Sequence, residues 1–274
     1  MQDMDTAVKA DLHTHTTFSD GDSSIEEIIN AAIAKGIDAV AITDHDTVSH
    51  FGKVPERAAV RVLKGIEICA VHPETSTRTH ILGYNMPNPE IAAEVCLPYL
   101  IARNENSMRQ AGILIELGYS IDIGKLSRAE GKYLYKQHIM DWLVSTGQAD
   151  SYFGDDYKAI FKNAGPCDFD IEYCDCFTAI NAIKASGGLA VLAHAGQQQS
   201  FWLVRELARA GLDGIELNHQ SHSDLDKLKI ASLAKRYSLF MTGGSDFHGR
   251  YEQHGYGVGD ILSHESGVEA LLSR

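Results

Sequence analysis

A chain of 274 residues, 44% of them hydrophobic, is long enough for one large α/β domain or for one domain carrying a smaller insert. Its formal net charge of −13 argues against a long nucleic acid held in a basic groove, which depends on many Lys and Arg contacts to phosphate. A small phosphorylated substrate stays compatible, because bound cations supply positive charge where the surface lacks it. No run reaches the length of a membrane span, and the opening MQDMDTAVKA has neither the basic nor the apolar region of a signal peptide. Cys69, Cys96, Cys167, Cys174 and Cys176 form an odd count without zinc-finger spacing and are expected to be reduced thiols in a cytoplasm.

The elements alternate in chain order. AVKADLH predicts a strand, and DSSIEEIINAAIAKG predicts a helix capped by Ser23 or Ser24, with Glu26 or Glu27 three residues on as in a capping box. IDAVAIT, VRVLKGIEI and THILGY predict three more strands. From Pro89 to Ala164 the pattern turns helical, which predicts an insert within a domain formed by residues 1–88 and 165–274. Alternation resumes with CFTAINAIKASGG, LAVLAH, FWLVRELARAG, DGIEL, LDKLKIASLAKRYS and LFMTGGSDFH. Repeated βα units of this kind imply a parallel sheet or barrel.

Ligand-type side chains fall at the ends of these strands. His13 and His15 end the first, with Asp20 just beyond; Asp44 and His45 end the second; Glu67 ends the third; His80 lies within the fourth. LAVLAH ends at His194, and LFMTGGSDFH ends at Asp246 and His248. Strand C-termini form the active face of parallel α/β folds. On an extended chain His13 and His15 point to one side and can grip one cation together. A lone histidine is more often a core or surface residue, the reading adopted for His50, His72 and His264. The same ligand chemistry at one end of nearly every strand is not what such a background produces. Histidine and carboxylate without thiolate suit Zn, Mn or Fe. Nine candidate ligands, at about four per site, imply more than one ion, and clustered ions favour phosphoester hydrolysis.

The motifs DLHTHTTFSDG, ITDHD, GIEI, HILGY, AH and GSDFH resemble, in order, those of the PHP family (polymerase and histidinol phosphatase domain). The helical insert after HILGY resembles the branch that acts on nucleoside 3′,5′-bisphosphates and RNA 5′ ends. The resemblance implies a distorted seven-stranded (β/α) barrel with three divalent ions (Mn, Fe or Zn). His13, His15, Glu67 and Asp246 would hold the first ion. Glu67 would bridge to a second held with His80 and His194, and Asp20, His45 and His248 would hold the third. A hydroxide bridging two ions would attack phosphorus in line. Asp44 is assigned to orienting ligands or balancing charge, with a structural turn as its alternative.

For the substrate, the resemblance points to Arg103 and Arg109 on the insert helix and to Lys136 and His138, which stand where such proteins usually carry Arg-Pro-His. His222, in NHQSHSD, is the candidate pocket histidine for substrate contact or catalysis. Three departures from the family pattern stand out. Ala195 follows His194 in place of proline, Lys136-Gln137 replaces Arg-Pro, and Pro166 to Phe169 occupy a segment where a Lys and a Tyr are expected. The expected substrate is a small phosphorylated molecule, a nucleoside 3′,5′-bisphosphate first, with short RNA ends, a cyclic phosphodiester or histidinol phosphate as alternatives. An amidohydrolase also opens with HxH, but its carboxylated lysine after a middle strand has no counterpart here. A non-catalytic metal module would be expected to lose ligands, and all nine are present.

Overall fold

Each apolar run that flanks a candidate ligand becomes a strand. In a computed structural model describing residues 7–126, 131–251 and 255–273, these are β1 (Ala10–Thr14), β2 (Ala39–Ile42), β3 (Arg61–Val71) and β4 (Arg78–Tyr84). Helix α1 (Ile25–Ala34) joins the first two and starts where the sequence places its cap. The Ser24 side chain accepts the Glu27 N–H while the Glu27 carboxylate accepts the Ser24 N–H. Its buried Ile25, Ile28, Ile29 and Ala32 follow the helical repeat onto the sheet. Next come α2 (Pro89–Glu116), α3 (Ile123–Leu126), α4 (Lys136–Ser145) and α5 (Asp155–Phe161). The chain then runs through β5 (Cys174–Asp175), α6 (Cys176–Ala185), β6 (Leu189–Leu192), α7 (Val204–Arg209), β7 (Gly214–Asn218), α8 (Asp224–Tyr237), β8 (Phe240–Gly243) and α9 (Glu265–Leu272).

The strands pair in the order β1-β2-β3-β4-β6-β7-β8, and the short β5 pairs with β3 off this path. The segment after β8 turns back to the end of β1: the His15 N–H donates to the Phe247 carbonyl at 2.9 Å and the Asp246 N–H to the His13 carbonyl at 2.9 Å. These bonds bring the sheet close to a closed barrel. One expectation is corrected. The sheet is mixed, because β4 runs antiparallel to both β3 and β6. Its register pairs Val71 with Arg78, which leaves a turn too short for the helical crossover that a parallel partner needs. His80 therefore reaches the site from the N-terminal part of its strand. β5 and α9 are elements that the sequence reading did not anticipate.

Alternation along the strands sorts two apolar layers. Leu12, Ala41, Leu63, Leu82 and Val191 pack in one, while Ile66, Ile68, Ile81, Leu192 and Ile215 pack in another with α6 and α7. The helical region builds a core of its own from Ala111, Leu114, Leu134, Ile139, Leu143, Ile160 and Phe161. Helix α2 serves both: Ala92 and Cys96 join the barrel layer, whereas Ala111 and Leu114 join the helical core. The two ends of α2 thus pack into different cores. Residues 127–130 of the insert range, and residues 1–6, 252–254 and 274 of the barrel range, lie outside the described residues. Among the described residues no helix is long and apolar enough to cross a membrane, and all five cysteines are free and buried.

Candidate metal centre

The loop from His15 to Gly21 folds tightly over the end of β1. A Cβ on Gly21 would collide with the His15 carbonyl, and one on Gly244 would collide with the His13 backbone, so both glycines permit close approach of ligand-bearing segments. Asp246 lies in the left-handed region at φ 52° and His194 at its edge at φ 20°. Strain of this kind persists where surrounding bonds enforce it. Asp11 supplies some of those bonds, accepting the Ser245 hydroxyl at 2.6 Å and the Gly259 N–H at 2.7 Å.

Four atoms form the heart of the site. His13 Nε2 lies 3.2 Å from Glu67 Oε2 and 3.2 Å from Asp246 Oδ1. His15 Nε2 lies 3.1 Å from each of the same two oxygens. All four are buried and none has a hydrogen-bond partner, so close contacts exist without hydrogen-bond geometry. Lone pairs aimed at a common point produce that pattern. Ligands about 2.1 Å from one ion are separated by about 3.0 Å at right angles and about 3.4 Å at tetrahedral angles, and the observed edges fall in that interval. The residues present thus fit a cation on their own geometry.

Two further groups adjoin it. Glu67 Oε1 is 2.8 Å from His80 Nδ1 and 2.8 Å from His194 Nε2, so Glu67 faces two groups with its two oxygens. Asp20, His45, His248 and His15 form the third, with His248 Nε2 3.4 Å from Asp20 Oδ1 and the His15 and His248 rings stacked at 4.1 Å. The structure therefore brings all nine sequence-predicted ligands into one cluster, in overlapping groups that share Glu67 and His15. Cys69 also comes within reach of His45 and His80.

Charge in the cluster is balanced by carboxylates. Burial would push Glu67 up, but His45, His13 and His80 outweigh it and hold the carboxyl well below its usual range. Burial drives the His45 imidazole down to about 4 against Glu67 and Asp20, leaving it neutral and able to ligate at neutral pH. Burial would also lower His248, yet Asp20 and Asp246 raise it to about 10. A divalent ion among these groups would take the place of such a proton.

Residues missed in the sequence complete the support. Glu216 on β7 is fully buried; its Oε1 lies 3.1 Å from His13 Nδ1 and its Oε2 accepts the His194 N–H at 2.8 Å. A proton on His13 Nδ1 donated to Glu216 leaves Nε2 free to ligate. His219 Nε2 sits 3.3 Å from Asp246 Oδ2, the Gln137 amide donates to Asp20 Oδ2 at 2.9 Å, and the Tyr135 hydroxyl donates to the His45 carbonyl at 3.0 Å. The signal for Glu216 was readable: it is the only charged side chain inside the apolar run GIEL.

The cluster opens into two adjoining hollows of about 420 and 170 Å³, which share Asp20, His45, Arg78, His80, Gln137 and Tyr157. The larger has an aromatic wall of Phe153, Tyr157 and Tyr251. The smaller is cationic, lined by Arg78, Arg103, Lys136 and Lys162 with Tyr135 and Tyr173. Lys162, Tyr157 and Tyr173 thus bring a lysine and tyrosines to the cavity although Pro166–Phe169 carry none.

Of the substrate candidates, Arg103 and Lys136 line the cationic arm, Arg103 held by Asp46 at 2.8 Å. Four other candidates lie outside both hollows. The Arg109 guanidinium packs over Phe169 at 4.6 Å. His138 accepts the Tyr135 N–H and caps α4. Both His222 ring nitrogens engage the backbone, at the Leu217 carbonyl and the Gly196 N–H. Asp44 accepts from the Thr16 N–H, the Thr16 and Ser19 hydroxyls and pairs with His50, which ties down the loop between His15 and Asp20. These bonds are compatible with both readings of Asp44, since a brace on this loop also orients His15 and Asp20.

Comparison with known proteins agrees with this geometry. The chain is 40% identical over 249 residues to the phosphoribosyl 1,2-cyclic phosphate 1,2-diphosphodiesterase of Eggerthella lenta, covering 88% of this chain and 94% of that protein. It is 30% identical to the 5′-3′ exoribonuclease Rnm of Escherichia coli, over 90% of this chain and 88% of the other. A crystal structure from Bifidobacterium adolescentis, named as a metal-dependent phosphoesterase, superposes with a TM-score of 0.86 at 26% identity, over 96% of this chain and 95% of that one. The PHP domain model matches residues 11–168. With more than half its length matched by that model and its barrel carrying the HxH cluster at one end, the chain belongs to the PHP domain family.

Proposed function

We propose that this chain is a metal-dependent phosphoesterase whose substrate is a ribose derivative carrying two phosphate groups. One would react at the three-group cluster while the other is held by Arg78, Arg103, Lys136 and Lys162. The observation that carries the reading is the direct junction of the ligand cluster with a cationic arm in a chain of net charge −13. A phosphoribosyl cyclic phosphate is the first substrate to test, supported by the 40% identity to the Eggerthella lenta diphosphodiesterase along nearly its whole length. It ranks above the nucleoside 3′,5′-bisphosphate suggested by the motifs and above RNA 5′ ends, which the weaker similarity to Rnm supports.

His13, His15, Glu67 and Asp246 would hold one divalent ion, Glu67, His80 and His194 a second, and Asp20, His45 and His248 a third. Bound there, such ions polarise phosphoryl oxygens and make water a nucleophile near neutral pH. The chain's own residues do the rest. Glu216 keeps His13 in the ligating tautomer, and Gln137 and Tyr135 fix Asp20 and the His45 backbone. The cationic arm orients the distal phosphate so that the reacting one meets the cluster, while Phe153, Tyr157 and Tyr251 enclose the leaving portion. Hydrolysis of a cyclic diester adds water across one P–O bond and leaves a monoester; a second hydrolysis releases phosphate.

The test is phosphate release by the manganese-reconstituted protein. Phosphoribosyl 1,2-cyclic phosphate, adenosine 3′,5′-bisphosphate, AMP, histidinol phosphate and a 5′-phosphorylated oligoribonucleotide would be compared. Strong preference for either doubly phosphorylated small molecule is the expected result. Equal turnover of AMP and the bisphosphate would refute the two-phosphate reading.

A further inference from the structure

The cationic arm contains a carboxylate that bridges two of its cations. Asp170 Oδ2 accepts from Arg78 Nη2 at 2.9 Å and from Lys136 Nζ at 3.0 Å. The two cations come from different parts of the fold, Arg78 from β4 and Lys136 from the first turn of α4. One carboxylate oxygen thus accepts from two cations, a contact pattern that a phosphate oxygen can also make. Burial would push the Asp170 carboxyl up, but Lys136, Tyr173 and Arg78 outweigh it and hold it at about 2, so it is charged at neutral pH. Arg103 is tied to Asp46, whose other oxygen accepts the Cys69 N–H at 2.8 Å. That second carboxylate is a buried anchor. Asp170 by contrast lines the hollow and is partly exposed. Asp20 lines the same hollow, so the four cations face three carboxylates and keep a net of one positive charge.

We propose that Asp170 is the affinity-setting counter-ion of this arm: a built-in anion that the distal phosphate of the substrate displaces from Arg78 and Lys136. This inference rests on the arm being the distal-phosphate site. A substrate lacking the second phosphate leaves the Asp170 bridges in place and gains nothing from the arm. A substrate bearing it exchanges two carboxylate contacts for phosphate contacts, and the exchange limits its affinity. Removing the charge of Asp170 therefore strengthens binding of the doubly phosphorylated ligand, the reverse of what loss of a substrate contact or a structural brace does.

The experiment compares adenosine 3′,5′-bisphosphate with adenosine 3′-monophosphate on manganese-loaded wild-type, Asp170→Asn and Lys136→Met proteins. KM is read for each compound, or its inhibition constant against p-nitrophenyl phosphate where it is not turned over. Asp170→Asn keeps the side-chain shape and should lower the bisphosphate constant about three- to tenfold, leaving the monophosphate within about twofold. Lys136→Met should raise the bisphosphate constant by about tenfold. An unchanged or raised bisphosphate constant in a folded Asp170→Asn protein overturns the proposal. If Lys136→Met also leaves the two compounds in their wild-type ratio, the arm itself is not the phosphate site and the two-phosphate reading falls with it.

Discussion

Glu216→Gln tests whether ligand geometry is enforced from behind the cluster. The wild-type carboxylate faces two donors, His13 Nδ1–H at 3.1 Å and the His194 N–H at 2.8 Å. A glutamine fills the same volume but offers one acceptor and one NH₂ group. Whichever way the amide turns, a donor meets a donor. Either His194 loses its backbone partner beside a strained φ, or His13 shifts its proton to Nε2 and surrenders the lone pair facing Glu67 and Asp246. A hydrogen bond to a charged group contributes about 1.5–3 kcal/mol, and each 1.4 kcal/mol is about tenfold in affinity. Manganese should therefore bind about 10- to 100-fold more weakly, the range found when residues supporting ligands are altered. Calorimetric titration with manganese, beside a thermal melt to establish folding, measures this directly. A folded Glu216→Gln protein with wild-type metal affinity and stoichiometry would refute the argument that Glu216 sets the His13 tautomer.

Asp246→Ala removes an oxygen within 3.2 Å of both His13 and His15, and should abolish turnover and lower bound metal; full metal content with normal activity would dissolve the site assignment. Arg103→Ala should raise KM with metal content unchanged, whereas Arg109→Ala, whose side chain packs on Phe169, should leave KM near wild type. His222 gives a pH signature. Burial lowers its pKa below the ordinary 6.5, against the opposing pull of the Leu217 carbonyl and Glu216. As pH falls the unfolded chain takes up this proton first, so the stability held above 6.5 is lost as pH falls through the folded value. The wild-type melting temperature should thus drop more between about pH 7 and pH 5 than that of the non-titrating His222→Gln; parallel curves would count against it.

How much of this was legible depended on distance along the chain. Strand and helix positions followed from local pattern, and the α1 cap was readable because Ser24 and Glu27 lie within one turn of each other. Ligands at strand ends were readable because an end-of-strand histidine breaks an apolar run. What escaped was pairing. No local signal says that Arg78 on β4 meets Lys136 on α4 through Asp170, since those contacts are set by how the helical region closes on the barrel. His222 escaped in the opposite sense: its sequence neighbourhood is polar and loop-like, but both ring nitrogens are taken by backbone groups. Arg109 sits six residues beyond Arg103 on one helix, yet it faces Phe169 rather than the arm.

The reversal of β4 links the two halves of the site. In an all-parallel barrel the strand after β3 would present its C-terminal residues, Gly83 and Tyr84, at the ligand face. Because β4 runs the other way, its first residues lie there instead. Arg78 and His80 are two apart on an extended strand, so their side chains emerge on the same side about 6.8 Å apart. One belongs to the cationic arm and the other to the ligand cluster, and both line the shared cavity. A strand held by seven register pairs to β3 thereby fixes the spacing between the ligand cluster and the cationic arm, the two places that the proposed substrate would occupy with its two phosphates. Loops could retune either end separately. The distance between them belongs to the sheet, which is why a substrate with two phosphates at a set separation suits this barrel better than one recognised by charge alone.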